Sequence, residues 1–434
     1  MKSISILFLL LKGSPAIDIQ TQDGDLTAFA YELFTKFDHE VDPNDASIYL
    51  KHIQQNTKIV RDAVQELIEK YSEKVPAINQ LNKIFKLMDD DEYFMIIVNY
   101  EPNYEEILKN YSILMKLNFP NFDIEKKIRE GTELFKNILD NYDLYITREN
   151  SRQLIGEKDK NKRVCRFCGR TIADGAFFKK EAHAISEGLG NKTVILTEEC
   201  DECNEYFGKS IENDLLTYLN LFRTFFGILN KDNRVPTIKG KNFEYRNLGD
   251  RNISLQIIDD GTNTFPRDPS LPPNNIILKY NEKITNQNIY KVLVKFALSI
   301  IDRSKISKFA NTIEWLRNDS YFKQDLPKIA VLSSYELFKE KPLLTVYVRK
   351  TDNNNIPYAV AEFHFTFLTF VYIIPTFSDE EKQYLSDEEF TEFWKFFKHY
   401  DLTKDFKFEY FVDSVSREVQ FNLNFVQNKL TQQT

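Results

Sequence analysis

The four cysteines of the 434-residue chain fall into two pairs, Cys165-Arg-Phe-Cys168 and Cys200-Asp-Glu-Cys203, with none left over. A two-residue spacer lets both thiolates of a pair point to one side, so two such knuckles can set four sulfurs tetrahedrally around zinc. Zinc held by Cys165, Cys168, Cys200 and Cys203 is the expected structural metal. Four cysteines are too few for a disulfide scaffold, and a thiolate site calls for a reducing compartment, so a cytoplasmic location is expected. One of only five histidines, His183, lies between the knuckles. It is followed by Ile185, the turn Gly188-Leu-Gly-Asn-Lys192 and the strand-like run Thr193–Thr197, and the second knuckle runs into Asn204 and a helical pattern. A histidine is the side chain that exchanges a proton most readily near neutral pH.

A strand carrying histidine, a turn, a second strand and a helix, clamped at the base by zinc, form a ββα hairpin. Here the sequence resembles the zinc-stapled branch of the HNH endonuclease family. The residues that carry the likeness are Cys165-Arg-Phe-Cys168-Gly169, Ala182-His183-Ala184-Ile185, Gly190-Asn191-Lys192 and Cys200-Asp-Glu-Cys203-Asn204, within about residues 163–215. The resemblance implies hydrolysis of phosphodiester bonds with one divalent metal, Mg²⁺ or Mn²⁺. It makes His183 the general base that takes a proton from water. It makes Asn204, in the place of the last histidine of the family name, an oxygen ligand of that metal, and Asn191 the brace of the hairpin.

Two departures from the family pattern stand out. The acid that often precedes the general base is replaced by Ala182, which leaves Glu181 and Glu212 as the acidic ligand candidates. On a strand, Glu181 faces away from Ala182. The middle Asn of the family sits on the second strand, where this chain has Ile195. DNA is the implied substrate, with RNA open because phosphodiester chemistry alone does not select the sugar. The composition, rich in Asn, Lys, Ile, Phe and Tyr, fits an AT-rich bacterial genome, and bacterial nucleases of this layout resemble effectors of defence against foreign or phage DNA. A zinc-stabilised module without catalysis, binding nucleic acid or protein, is the alternative, and Ala182 is its best support.

Charge sharpens the nucleic-acid question. The chain carries 57 Lys+Arg against 65 Asp+Glu, a formal net charge of -8, so a basic footprint must be local. Between Arg148 and Lys180 stand ten Lys and Arg against four acids, directly beside the first knuckle. Arg163, Arg166, Arg170 and Lys192 are the candidates for phosphate contact, with solubility an equally good account of their charge.

The elements around this segment read as an α+β, multidomain chain. Residues 1–160 read as a mostly helical domain with a first strand in the apolar stretch Ile4–Leu11. Its helices are expected over Tyr49–Tyr71, capped by Asp45 or Ser47, over Ile78–Met88 and over Ile124–Ile146. The polar run Arg148–Arg163 reads as a linker. Residues 161–240 form the zinc-stapled module with one following helix, Glu205–Leu229, and residues 241–434 an α+β domain with a mainly antiparallel sheet. His39, His52, His364 and His399 read as ordinary packing or surface residues, and Trp315 and Trp394 as core or interface. No apolar run is long enough to span a bilayer, and no glycine loop of the phosphate-binding kind is present among 13 glycines. The large flanks leave room for recognition, autoinhibition, or docking of a regulatory protein or a second copy.

Overall fold

The computed structural model describes residues 2–21, 25–45, 47–98, 104–121, 123–148, 152–230, 232–250, 252–263, 275–318, 321–402 and 405–424. Contacts divide the chain into two units, Met1–Glu133 and Leu134–Thr434. Among the described residues no helix is long and apolar enough to cross a membrane.

The first unit is built on a sheet where helices were expected to dominate. Its strands run in the order Ala16–Thr21, Lys2–Leu9, Tyr93–Val98, Ile53–Gln55, each antiparallel to its neighbour. The apolar stretch Ile4–Leu11 falls largely in the strand Lys2–Leu9, whose alternation serves two faces. Ile4, Ile6 and Phe8 pack with Val64, Leu67 and Phe94 on one side, and Leu9 packs with Met95 and Leu114 on the other. The helix expected over Tyr49–Tyr71 begins only at Lys58, capped by Thr57 Oγ1 accepting from Val60 N at 3.3 Å. The residues before it form the short strands Ile48–Leu50 and Ile53–Gln55. Helical periodicity over a few residues lost here to pairing with Tyr93–Val98, a partner far along the chain.

The second unit holds a six-stranded antiparallel sheet. Its order is Lys407–Glu409, Ile329–Ser333, Leu368–Ile373, Ala359–Thr366, Lys339–Arg349, Tyr142–Ile146. Tyr142–Ile146 was read as the end of a helix, yet β-branched and aromatic residues there pair with Lys339–Arg349. Tyr142–Ile146 therefore belongs to the second unit, although the three-part division assigned it to the first domain. One sheet face, with Val346, Phe363 and Tyr372, packs on the helix Asn286–Ile300, and the other, with Tyr347, Val360 and Val371, on the helix Asp387–Phe396. Every residue of the former helix from Gln287 to Ile300 is buried. Trp315 is wholly buried, as expected of a core tryptophan. His364 and His399 are less ordinary: their Nε2 atoms lie 3.7 and 3.2 Å from the carboxylate of Glu362, which also accepts from the Tyr347 and Tyr400 hydroxyls.

The cysteine-bearing segment shares the core of this unit. Cys165, Phe167, Ala184, Leu196, Cys200 and Phe207 belong to the same cluster as Leu293, Phe296 and Leu298. The run read as a linker is part of the fold, because Gln153–Ile155 pairs in parallel with Val194–Leu196. The single helix expected over Glu205–Leu229 is three: Asp201–Lys209, Glu212–Tyr218 and Asn220–Phe225, broken at Ser210 and Leu219.

Candidate active site and zinc centre

The knuckles are shaped by local hydrogen bonds. Cys165 N donates to Arg170 O at 2.8 Å and Gly169 N to Cys165 O at 2.9 Å, closing the first loop. Gly169 takes φ +73°, a conformation open to glycine at little cost. In the second knuckle Cys200 is the N-cap of the helix Asp201–Lys209 and Cys203 lies in its first turn. The four Sγ atoms all lie within 4.8 Å of one another, and Cys168 Sγ is 3.7 Å from Cys200 Sγ. All four are free thiols, three of them buried. Hydrogen bonding from Cys203 pulls the Cys165 thiol down to about 4, whereas burial pushes Cys200 up to about 11. Four sulfurs clustered this closely, three of them buried, cannot all carry negative charge unaided, and a zinc ion is the cation that fits a cluster of this ligand type.

His183 sits in a hairpin that lies between the two cysteine knuckles in the sequence. Ala184 N donates to Val194 O at 3.0 Å and Leu196 N to Ala182 O at 2.8 Å, which places His183 opposite Ile195. The position of the family's middle Asn is thus occupied by a buried isoleucine facing the histidine strand. Asn191, in the turn, bonds to the backbone of both strands of the hairpin. Its Nδ2 donates to Ile185 O at 2.7 Å and Val194 O at 3.1 Å, while Oδ1 accepts from Thr193 N and Val194 N. Asn191 is buried. Asn191→Ala removes four hydrogen bonds to the backbone and is expected to lower stability by about 1–3 kcal/mol in a denaturant titration. A second anchor, unread in the sequence, is Asp201, whose carboxylate accepts from Lys179 N and Lys180 N just before the histidine strand.

The His183 side chain is 17% exposed, with Nε2 3.8 Å from Glu187 Oε2 and Nδ1 buried without a hydrogen-bond partner. Burial holds the imidazole below its ordinary 6.5, against the opposing pull of Glu187 and Glu181, so it is neutral and able to accept a proton at pH 7. Glu187 was missed in the sequence. Its place four residues after His183 was the available sign, although helical or turn spacing could not be assumed on a predicted strand.

The acidic candidates fare differently. Glu181 is exposed and paired with Arg152. Glu212 Oε1 is 3.1 Å from Lys295 Nζ, a fully buried ammonium that also lies 3.2 Å from Glu199 Oε2 and donates to His183 O at 3.4 Å. Burial raises the Glu199 carboxyl to about 7 despite that lysine. Asn204 does not cap its helix, since Cys200 holds that position, and its side-chain amide has no hydrogen-bond partner among the described residues. Mg²⁺ commonly keeps several waters and takes one or two carboxylates plus substrate phosphate. Among the described residues the four cysteines are the only group of three or more His, Cys, Asp or Glu side chains close enough together to hold a metal ion. Glu187, beside the imidazole, joins Asn204 as a candidate to hold the ion.

The phosphate candidates need one correction. Arg166 is buried: its guanidinium donates to Leu298 O and Ile301 O at 2.7 Å and pairs with Glu198 at 2.9 Å. It closes the C-terminal end of the helix Asn286–Ile300, where a cation is favoured, and does not face a nucleic acid. Removing it leaves Glu198 buried beside only the half-exposed Arg303. Arg166→Leu is expected to cost about 3–5 kcal/mol in chemical denaturation. Arg170 pairs with Glu202, Lys192 contacts Asn233 and Arg163 donates to Glu157 O and Lys158 O. Much of the local positive charge is thus met by acids from beyond Lys180 that fold back onto it. Lys158 and Lys160 remain exposed.

No curated protein and no solved structure matches the chain. Residues 165–220 match the family model described as HNH endonuclease. The clustered thiols, the histidine hairpin and the helix after the second knuckle all fall inside that stretch, which makes it an HNH nuclease module stapled by two cysteine knuckles.

Proposed function

We propose that the module hydrolyses phosphodiester bonds of DNA in a reaction that depends on a divalent metal. The observation that carries the reading is a partly exposed imidazole, on a hairpin between the two cysteine knuckles, with a carboxylate 3.8 Å from its Nε2. His183 accepts a proton from the attacking water through Nε2, the nitrogen on the Glu187 side. The backbone bonds around Ala182, His183 and Ala184 hold that imidazole on one strand, and Asn191 keeps the turn from loosening. A divalent ion at Glu187 and Asn204, when bound, supplies positive charge to the scissile phosphate. Lys158 and Lys160 support a contact with the nucleic-acid backbone, which weakens as salt is raised. We place the activity in the cytoplasm, where the thiols stay reduced, and in bacterial defence against foreign DNA. The support for that setting is a small nuclease module carried between much larger flanks that can recognise a target or a partner.

The test is incubation of the zinc-loaded protein with supercoiled plasmid and Mg²⁺ or Mn²⁺, next to an EDTA control and a structured RNA of equal length. Nicking or linearisation that EDTA abolishes supports the reading, and preferential cutting of RNA replaces the substrate. Ala182, together with the capture of Glu181 by Arg152 and of Glu212 by Lys295, favours the second reading of a zinc-stabilised binding module. DNA binding without cleavage under every metal condition would select it.

A pH profile adds a signed prediction. The base works only when neutral, and burial lowers its pKa from 6.5. The acid limb of the cleavage rate is therefore expected to have its midpoint below 6.5, with full activity at neutral pH. A midpoint above that value contradicts the burial argument.

A further inference from the structure

The ammonium of Lys295 has no sequence signature, yet three parts of the nuclease segment converge on it. It belongs to the helix Asn286–Ile300, well outside the stretch 165–220. Its side chain is fully buried. Three N–H donors meet three acceptors: Glu212 Oε1 at 3.1 Å, Glu199 Oε2 at 3.2 Å and the main-chain oxygen of His183 at 3.4 Å. Glu199 directly precedes the second knuckle, Glu212 opens the helix Glu212–Tyr218, and His183 is the hairpin residue assigned as base. Burying an ammonium costs several kcal/mol unless it is paired and hydrogen-bonded. One carboxylate would suffice to balance its charge. The further bond to the His183 carbonyl has a geometric consequence, because it ties the strand that carries the imidazole to the most deeply buried helix of the unit. The same helix is held to the first knuckle at its far end, through Arg166 on Leu298 O and Ile301 O.

We infer that Lys295 is a positioning residue of the nuclease site, which holds the His183 strand and Glu212 in register from outside the module. The inference rests on the reading of His183 as the general base. It makes the helix Asn286–Ile300 part of the working nuclease, and any displacement of that helix disturbs the hairpin.

The test uses the full chain. Lys295→Met alone strands two buried carboxylates, so it is combined with Glu199→Gln, and Glu199→Gln alone is the control. Zinc content and the melting temperature establish folding. Amide hydrogen exchange then compares Ala184 and Leu196 in the hairpin with Gly169 and Asn204 in the knuckles. In the folded double variant the hairpin amides are expected to exchange at least about 10-fold faster while the knuckle amides do not change. Cleavage is expected to lose about 10–100-fold in kcat with KM for plasmid nearly constant, as for a misplaced reacting group. Unchanged hairpin exchange overturns the inference even if no cleavage conditions have been found. Wild-type kcat in the double variant, or the same losses in Glu199→Gln alone, also overturns it. His183→Ala run in parallel separates the two readings: if it still cuts, the base assignment fails, while the exchange data still decide whether Lys295 holds the strand.

Discussion

Replacing His183 by alanine is expected to reduce plasmid cleavage by about 10²–10⁴-fold, the usual contribution of a positioned general base. The same substitution is expected to leave zinc content unchanged and the unfolding free energy within about 1 kcal/mol of wild type. The asymmetry follows from where the residue's contacts lie. Its main chain carries the structural load, through the pairing with Ile195 and the carbonyl that meets Lys295, and alanine keeps both. Its imidazole contributes little to folding: Nδ1 has no partner, and Nε2 stands 3.8 Å from Glu187, beyond hydrogen-bonding distance. A variant that loses zinc or melts far earlier would show that the ring is a packing residue. A variant that folds and still cuts at the wild-type rate would remove His183 from the reaction.

Cys203→Ala is expected to abolish stoichiometric zinc binding and to destroy the cooperative melting of the second unit. Structural zinc in small cysteine sites contributes about 10–16 kcal/mol to folding. Whole domains are stable by only about 5–15 kcal/mol. Loss of one ligand of four therefore competes with the entire margin. The damage is not confined to a surface loop, because Cys165, Cys200 and Cys203 belong to the core that includes Leu293, Phe296 and Tyr372. Without the ion, sulfur charge must be given up in an interior that already raises the Cys200 thiol to about 11. The measurements are metal analysis of the purified variant and thermal melting followed by circular dichroism, with a chelator-treated wild type for comparison. One zinc per chain and an unchanged melting temperature in Cys203→Ala would refute the site.

How much of this was legible in the residues depends on the range of the interaction. The zinc ligands could be read because two residues between cysteines dictate how two thiolates point, whatever the rest of the chain does. The histidine between the knuckles, the turn at Gly190 and the strands of the C-terminal sheet were legible for the same reason, as alternation and turn chemistry act over a few residues. The helix boundaries at Lys58, Ser210 and Leu219 were less legible, since periodicity continues across a break that packing decides. The sheet in the first unit was hidden because its strand Ile53–Gln55 has only three residues, and its partner Tyr93–Val98 lies some forty positions on.

Charge shows the contrast most sharply. Read along the chain, Arg166 is one of ten basic residues beside a metal site and looks like a phosphate contact, yet in the fold it is sealed against Glu198 and two helix carbonyls. Glu181 and Glu212, offered as metal ligands, are taken by Arg152 and Lys295, while the carboxylate that faces the imidazole is Glu187. The sequence by itself determined the cysteine cluster and the family likeness, because knuckle and hairpin geometry are set by spacings of a few residues. Only the tertiary structure decided which charges are free and which are buried. Ion pairs such as Lys295 with Glu199 and Glu212 join residues more than eighty positions apart, and a shared core, not local spacing, brings them within 3.2 Å.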